Sequence, residues 1–122
     1  MPIDLTRFEK EEYCYLTTRG RVTGNPHEIE IWFVVHENTI YLMSGGGTKS
    51  DWVKNLLKEP QAMFRIAGQT FPALARVQQE KDEEVIRNKM ADKYKEREAD
   101  GSHSDWARTA LVVGFEPKDT ME

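Results

Sequence analysis

Apolar and polar residues alternate along residues 28–35. Ile29, Ile31, Phe33 and Val35 fall on one side, and Glu28, Glu30, Trp32 and Val34 on the other. A period of two belongs to a strand with one face on a core, and the pattern predicts a strand here. Aromatic and β-branched residues at 13–18 predict a strand before it, with Gly20, Gly24 and Pro26 punctuating the turn between them. The polar pair Glu37 and Asn38 then turns the chain into a further strand at 40–44. These segments form an antiparallel meander.

Past Gly45, Gly46 and Gly47 the period changes. Trp52, Val53, Leu56 and Leu57 recur at helical spacing as far as Lys58, with Ser50 placed to cap, Asp51 in the first turn and Pro60 as the stop. Residues 62–66 and 70–78 predict a second hairpin about Ala67 and Gly68, and Pro72 points to an edge or a bulge. A charged helix at 81–98 carries a narrow stripe of Ile86, Met90 and Tyr94 with Val85 beside it, so it is expected on the barrel surface or partly solvated. Residues 99–104 read as a loop, 109–115 as a last strand and 116–122 as a frayed polar tail. No repeat, low-complexity stretch or linker interrupts the chain. About six strands joined mostly by hairpins, with two helices, predict a mainly β, α+β domain. Its architecture is a small antiparallel barrel with helices outside, in which closure removes exposed edges. Residues 1–122 read as a single domain with its core at about 13–115.

Composition narrows the class. A chain of 122 residues suits one core, and a formal charge of −4 argues against a general nucleic-acid binder. Cys14 is the single cysteine, which excludes an intrachain disulfide and suits a reducing compartment. No apolar run reaches the ~18–20 residues that span a bilayer, and the N-terminus lacks a signal-peptide pattern. The expectation is a cytoplasmic protein.

Candidate chemistry gathers where strand gives way to helix. Ser44, three glycines, Thr48, Lys49 and Ser50 lead into the helix, and free N–H groups, a positive helix end and a lysine favour an anion. Thr48 stands where a P-loop needs glycine, and the parallel setting of that motif is missing, which excludes nucleotide triphosphate hydrolysis. Arg19 and Arg21 sit on a turn that could reach the same anion, although turn arginines are more often only solvated. His27, His36 and His103 show no metal-ligand spacing and Cys14 has no partner, so no metal is expected. Cys14 reads as a buried small hydrophobe. Trp32 and Trp52 could flank a planar ring or simply pack; Tyr94 and Trp106 lie where a helix and loop could cover a site, and are equally plausible as packing.

The run from Leu16 to Phe33 (LTTRGRVTGNPHEIEIWF) and Tyr41 to Gly47 (YLMSGGG) resembles the deazaflavin-dependent nitroreductase family. Asp51 to Leu56 (DWVKNL) with Pro60, and Trp106 to Ala110 (WARTA), extend the similarity over about residues 13–115. That family belongs to the flavin- and deazaflavin-binding split β-barrels related to pyridoxamine 5′-phosphate oxidase. The resemblance implies a six-stranded split barrel, often a homodimer, with coenzyme F420 in a groove on the barrel. It implies contacts from the basic turn at Arg21, Val22 and His27, and from the loop Ser44, Gly45, Gly46 and Gly47. It further implies roles for Trp52 and Asn55, with Lys49 and Ser50 available to a phosphate.

Relatives tend to carry Lys where this chain has Val22, Arg where it has His27, and Lys where it has Gly45. Fewer cations then face the long anionic tail of F420, and FMN is the alternative cofactor. The implied activity is hydride transfer from a reduced deazaflavin to a small acceptor such as a nitroaromatic, quinone or enone. An FMN-binding oxidase-like protein, a non-catalytic flavin- or haem-binding barrel and a dimerising interaction module are the alternatives. The cofactor carries the hydride, so no catalytic side chain is assigned, and Tyr94 is a candidate only.

Overall fold

The computed structural model describes residues 3–77 and 82–118. Its strands are β1 (Cys14–Arg19), β2 (Pro26–Ile31), β3 (Val34–His36), β4 (Thr39–Ser44), β5 (Gln61–Ile66), β6 (Gln69–Arg76) and β7 (Leu111–Pro117). Helix α1 (Asp51–Lys58) follows β4, while α2 (Glu83–Tyr94) and α3 (Asp105–Thr109) lie between β6 and β7. The strands form one antiparallel sheet in the order β2-β1-β5-β6-β7-β4-β3.

The two outermost strands of that order, β2 and β3, are consecutive in the chain and separated only by Trp32 and Phe33. The chain itself therefore bridges the two sheet edges, and the sheet curls into a split barrel. The strand expected over 28–35 is divided there because its two halves pair at opposite edges, β2 with β1 and β3 with β4. The alternation of faces nevertheless carries on across the break: Phe33 and Val35 lie in the barrel core, with Ile29 and Ile31 packed against it, whereas Val34 joins a second cluster.

Leaving the ladder strips Phe33 of sheet partners, and a buried backbone group needs a replacement. Helix α2 supplies it. The Tyr94 hydroxyl accepts from the Phe33 N–H at 2.9 Å, with the Phe33 and Glu12 carbonyls at 2.9 and 2.8 Å as acceptors for its own proton. Lys93 Nζ donates to the Phe33 carbonyl at 2.9 Å and lies 3.9 Å from the centroid of its ring. Lys89 Nζ donates to the Val35 carbonyl in the same way.

The barrel is filled by Leu16, Phe33, Leu42, Phe64, Phe71, Val113 and Phe115, all 0–1% exposed. The core begins earlier than expected. A 3-10 turn, Leu5–Phe8, buries Leu5 and Phe8, and Phe8 stacks on Phe71 at 6.1 Å. Asn38 holds this segment by accepting from Leu5 N–H and donating to the Ile3 carbonyl.

Helices α2 and α3 cover the outer side of β3, β4 and β7, where Ile86 and Met90 pack with Val34, Tyr41, Met43 and Val112. The helix lies on the barrel surface with its outer side solvated, while Ile86 and Met90 are fully buried and Val85, expected beside them, is 42% exposed one residue off the stripe. The loop-and-strand reading of residues 99–115 missed α3, which Ser104 caps by accepting from Ala107 N–H at 3.1 Å. Strand β7 runs on to Pro117, because Glu116 and Pro117 pair with Leu74 and Ala73. Strand β6 is interior to the sheet, yet Pro72 meets a local edge. Its carbonyl accepts from Lys118 N–H, so its nitrogen faces the same side, just beyond the last β6–β7 pair.

Candidate functional site

The sequence-predicted residues separate into two groups on either side of the first turn of α1. Arg21, His27, Trp52 and Asn55 line one groove of about 440 Å3 between the β1–β2 turn and α1, with Val22, Glu28 and Asp51. Ser44, Gly45, Gly46, Gly47, Lys49 and Ser50 form the loop that enters α1, in which Gly47–Lys49 makes a 3-10 turn.

The first group is held by one amide. Asn55 is 3% exposed, and its Oδ1 accepts from the Arg21 backbone N–H at 3.1 Å and from Nη1 at 2.8 Å. Its Nδ2 donates to Thr18 Oγ1 at 3.0 Å. Arg21 Nη2 reaches Asp51 at 3.2 Å, and Lys58 Nζ donates to the Arg21 carbonyl at 2.9 Å. The guanidinium is thus positioned at the groove wall with its side chain one-third exposed. Arg19 Nη1 donates to the Gly24 carbonyl within the same turn. A Cβ on Gly20 would stand 2.6 Å from His27 Nε2, so glycine there lets the imidazole close over the turn. Val22 is 89% exposed.

In the second group, Ser50 occupies the N-cap position of α1 but makes no side-chain capping bond. Its hydroxyl is hydrogen-bonded to that of Ser44, and the Ser44 hydroxyl is also 3.0 Å from the Gly47 carbonyl. The capping expected of Ser50 is therefore diverted, and the N–H groups of the first turn are left without it. Gly46 gives this pair its room, since a Cβ there would lie 2.8 Å from Ser50 Oγ. Gly47 has φ +61°, and Lys49 is exposed at the end of the 3-10 turn.

An uncapped helix start, paired hydroxyls, a nearby lysine and a fixed arginine fit an acidic, phosphate-bearing cofactor. Asp51 and Glu28 oppose such a ligand in the groove, and Arg21 offsets the first of them.

The aromatic residues gather elsewhere. Trp32 stacks on Tyr94 with ring centroids 4.3 Å apart and planes at 7°, and Trp106 stands at 87° to Trp32, 5.5 Å away. Trp106 Cδ1 lies 3.3 Å from where a Gly45 Cβ would be, so this cluster abuts the glycine loop. Sequence reasoning offered Trp32 as a possible wall beside a planar ring and Tyr94 with Trp106 as a possible cover over a site, each with packing as the alternative, and did not join the three. Their assembly depends on the break after β2, which periodicity alone does not reveal.

Burial pushes the Cys14 thiol up to about 12, which makes it inert as a nucleophile at neutral pH. Burial likewise raises the Tyr94 phenol and lowers the Lys93 ammonium to about 8. The histidines have separate partners. His36 Nε2 is 3.2 Å from Asp82 and 3.8 Å from Glu37, tying the β3–β4 turn to the start of α2, and His103 Nε2 is 2.7 Å from Asn88 Oδ1.

A further cavity of about 690 Å3 lies on the outer face of β1, β5 and β6, lined by Thr17, Arg19, Met63, Pro72 and Leu74 among others. Among the described residues, no helix is long and apolar enough to cross a membrane.

The fold is shared with many solved structures, three of which illustrate its range. One described as an F420 reductase has a TM-score of 0.66 at 15% identity, over 98% of this chain and 97% of that one. HutZ, the haem storage protein of Vibrio cholerae, has a TM-score of 0.70 at 17% identity, over 98% and 92%. A structure described as a domain-swapped dimer has a TM-score of 0.65 at 18% identity, over 87% and 81%. No curated protein matches the chain significantly in sequence. A sequence model of the F420H(2)-dependent quinone reductase family matches residues 5–113, nearly the whole of the barrel, and the chain belongs to that family.

Proposed function

We propose that the protein binds coenzyme F420 and catalyses hydride transfer from its reduced form to a small acceptor such as a quinone, nitroaromatic or enone. The observation that carries this is the junction at α1. There the uncapped helix start and the Ser44–Ser50 pair adjoin the groove that Arg21 and Asn55 shape. Family membership supports the choice of deazaflavin.

In this reading Ser44, Ser50 and the N–H groups of Gly45, Gly46 and Gly47 hold the phosphate or the polar edge of the ring. Lys49 and Arg21 neutralise the tail, His27 borders it, Trp52 forms a wall and Asn55 fixes the turn. The cofactor supplies the hydride, and the chain binds, orients and excludes water. FMN is the second reading. Relatives tend to carry Lys at positions 22 and 45 and Arg at 27, and Val22, Gly45 and His27 leave fewer cations for a long acidic tail than for a single phosphate.

The outer face of β1, β5 and β6 supports a homodimer, because Met63 is 40% exposed there beside an open cavity. The structure described as a domain-swapped dimer is consistent with pairing in this fold. A cytoplasmic location fits the dependence on a reduced cofactor.

Side-by-side fluorescence titration of stripped protein with F420 and FMN tests the cofactor, followed by anaerobic turnover with reduced F420 and each acceptor class. Tighter binding of F420 with turnover is the expected result. Preference for FMN moves the protein to the flavin branch, and binding of cofactor or haem without turnover of any acceptor overturns the enzymatic reading. In the same titration Lys49→Ala is expected to weaken F420 by about tenfold, the effect of losing a charge-assisted hydrogen bond.

A further inference from the structure

A cavity of about 400 Å3 lies beside the glycine loop, lined by Trp32, Trp106, Met43, Tyr13, Glu30 and Glu96 among others. Its size is within the range of small-molecule sites. Two features set its chemistry. The first is a corner of two indoles: Trp32 is held flat against Tyr94, and Trp106 stands at 87° to it. The second is charge. Among the described residues, Glu30 and Glu96 line the cavity and no basic side chain does. Each carboxylate is oriented by one hydroxyl, Glu30 by Tyr15 at 2.8 Å and Glu96 by Ser104 at 2.7 Å. The neighbouring ammonium of Lys93 is engaged by the Phe33 carbonyl and ring. The negative potential extends to Tyr13, whose phenol is raised chiefly by the charge of Glu12, with Glu30 adding to it.

Indole faces and carboxylates together select a cation with a flat, apolar body, since the ring quadrupole attracts positive charge and the ring plane attracts apolar area. We propose that this cavity binds planar organic cations, such as N-alkylated aromatic heterocycles, and that it is the acceptor site. The second half rests on the reductase reading above. Gly45 connects the two sites, because Trp106 Cδ1 lies 3.3 Å from where its Cβ would be, a tight contact at which a side chain would press on the indole. In turnover, one C–H bond of the reduced deazaflavin breaks and one C–H bond forms on the acceptor ring. The two electrons that move neutralise the cation, and the donor's remaining N–H proton passes to water.

The test uses the intact protein without cofactor and three flat probes of similar size: N-methylquinolinium, quinoline at pH 8, and a quinoline carboxylate. Tryptophan fluorescence is the readout. The cation is expected to bind about tenfold more tightly than neutral quinoline, with the anion weakest. Glu30→Gln with Glu96→Gln should erase that margin and leave quinoline unchanged. If the double variant does not fold, Glu30→Gln alone, at an exposed position, should reduce the margin. Equal binding of quinoline and its cation, or a margin that survives these variants, overturns the proposal. Cation preference without any F420-dependent turnover would overturn the reductase reading and leave the binding site. Turnover of neutral quinones without cation preference would do the reverse.

Discussion

Asn55 and Arg21 are joined twice through one oxygen: Asn55 Oδ1 accepts both the Arg21 backbone N–H and its Nη1, at 3.1 and 2.8 Å. The residues lie 34 positions apart, one on α1 and one on the β1–β2 turn. The amide therefore fixes both the course of the turn and the aim of its cation. Its Nδ2 donates to Thr18, itself 2% exposed, so the network extends to the buried side.

Replacing Asn55 by Ala should cost about 1–3 kcal/mol of stability in urea denaturation, because Thr18 and the Arg21 N–H lose a partner in a buried place. Cofactor affinity should fall as well. If Asn55 acts through Arg21, the double variant Asn55→Ala, Arg21→Ala should bind no more weakly than the worse single variant. Additive losses would mean that Asn55 meets the cofactor on its own account.

Gly46 and Gly47 should fail in different ways. Alanine at 46 puts a Cβ 2.8 Å from Ser50 Oγ and must break the Ser44–Ser50 pair, a flexible hydroxyl giving way at small cost in stability. Alanine at 47 meets nothing within 4 Å but is forced to φ +61°. Gly46→Ala should thus weaken F420 several-fold with little change in Tm, and Gly47→Ala should lower stability by about 1 kcal/mol. Calorimetry beside the titration separates the two, and a Gly46→Ala protein with unaltered affinity would remove the serine pair from the site.

Lys93 gives stability a pH signature. Burial holds its pKa at about 8, below the ordinary lysine value of 10.5, so between these values the unfolded chain binds more protons than the folded one. Stability contributed by this position therefore rises as pH increases through that window. Cys14 and Tyr94 are raised, to about 12 in the case of the thiol, and act oppositely above their unfolded values near pH 9 and 10. The comparison with Lys93→Met isolates the lysine: the Tm of the wild type relative to the variant should increase from pH 8 toward pH 10. A difference flat with pH would show that the ammonium is as well solvated in the fold as outside it.

The strands and α1 were legible because their signals are local: alternation at Glu28, Ile29, Glu30 and Ile31, and helical spacing at Val53 and Leu56. The glycine loop was legible by composition. What escaped was set by distant pairing. Nothing near Trp32 announces that β2 and β3 belong to opposite sheet edges, so neither the strand break nor the role of Tyr94 in satisfying Phe33 could be read from spacing. Ser50 illustrates the same limit within six residues. Its sequence position is that of a cap, but Ser44 competes for the hydroxyl and wins.

Met63 tests the pairing of two chains. Its side chain projects from the outer face of β5, opposite the buried Ala62 and Phe64, and shares a cavity with Pro72 and Leu74. Helices α2 and α3 shield β3, β4 and β7, whereas among the described residues Met63 stays exposed beside the cavity on β1, β5 and β6, and an apolar sheet face left open favours self-association. Met63→Glu would place a charge on each side of a two-fold contact, where it must lose solvent and face its own copy. The substitution is expected to convert a dimer to a monomer in light scattering while leaving the far-UV circular dichroism intact, since the site is exposed in the single chain. A wild type that is monomeric at high concentration, or a variant that remains dimeric, would take this face out of the interface.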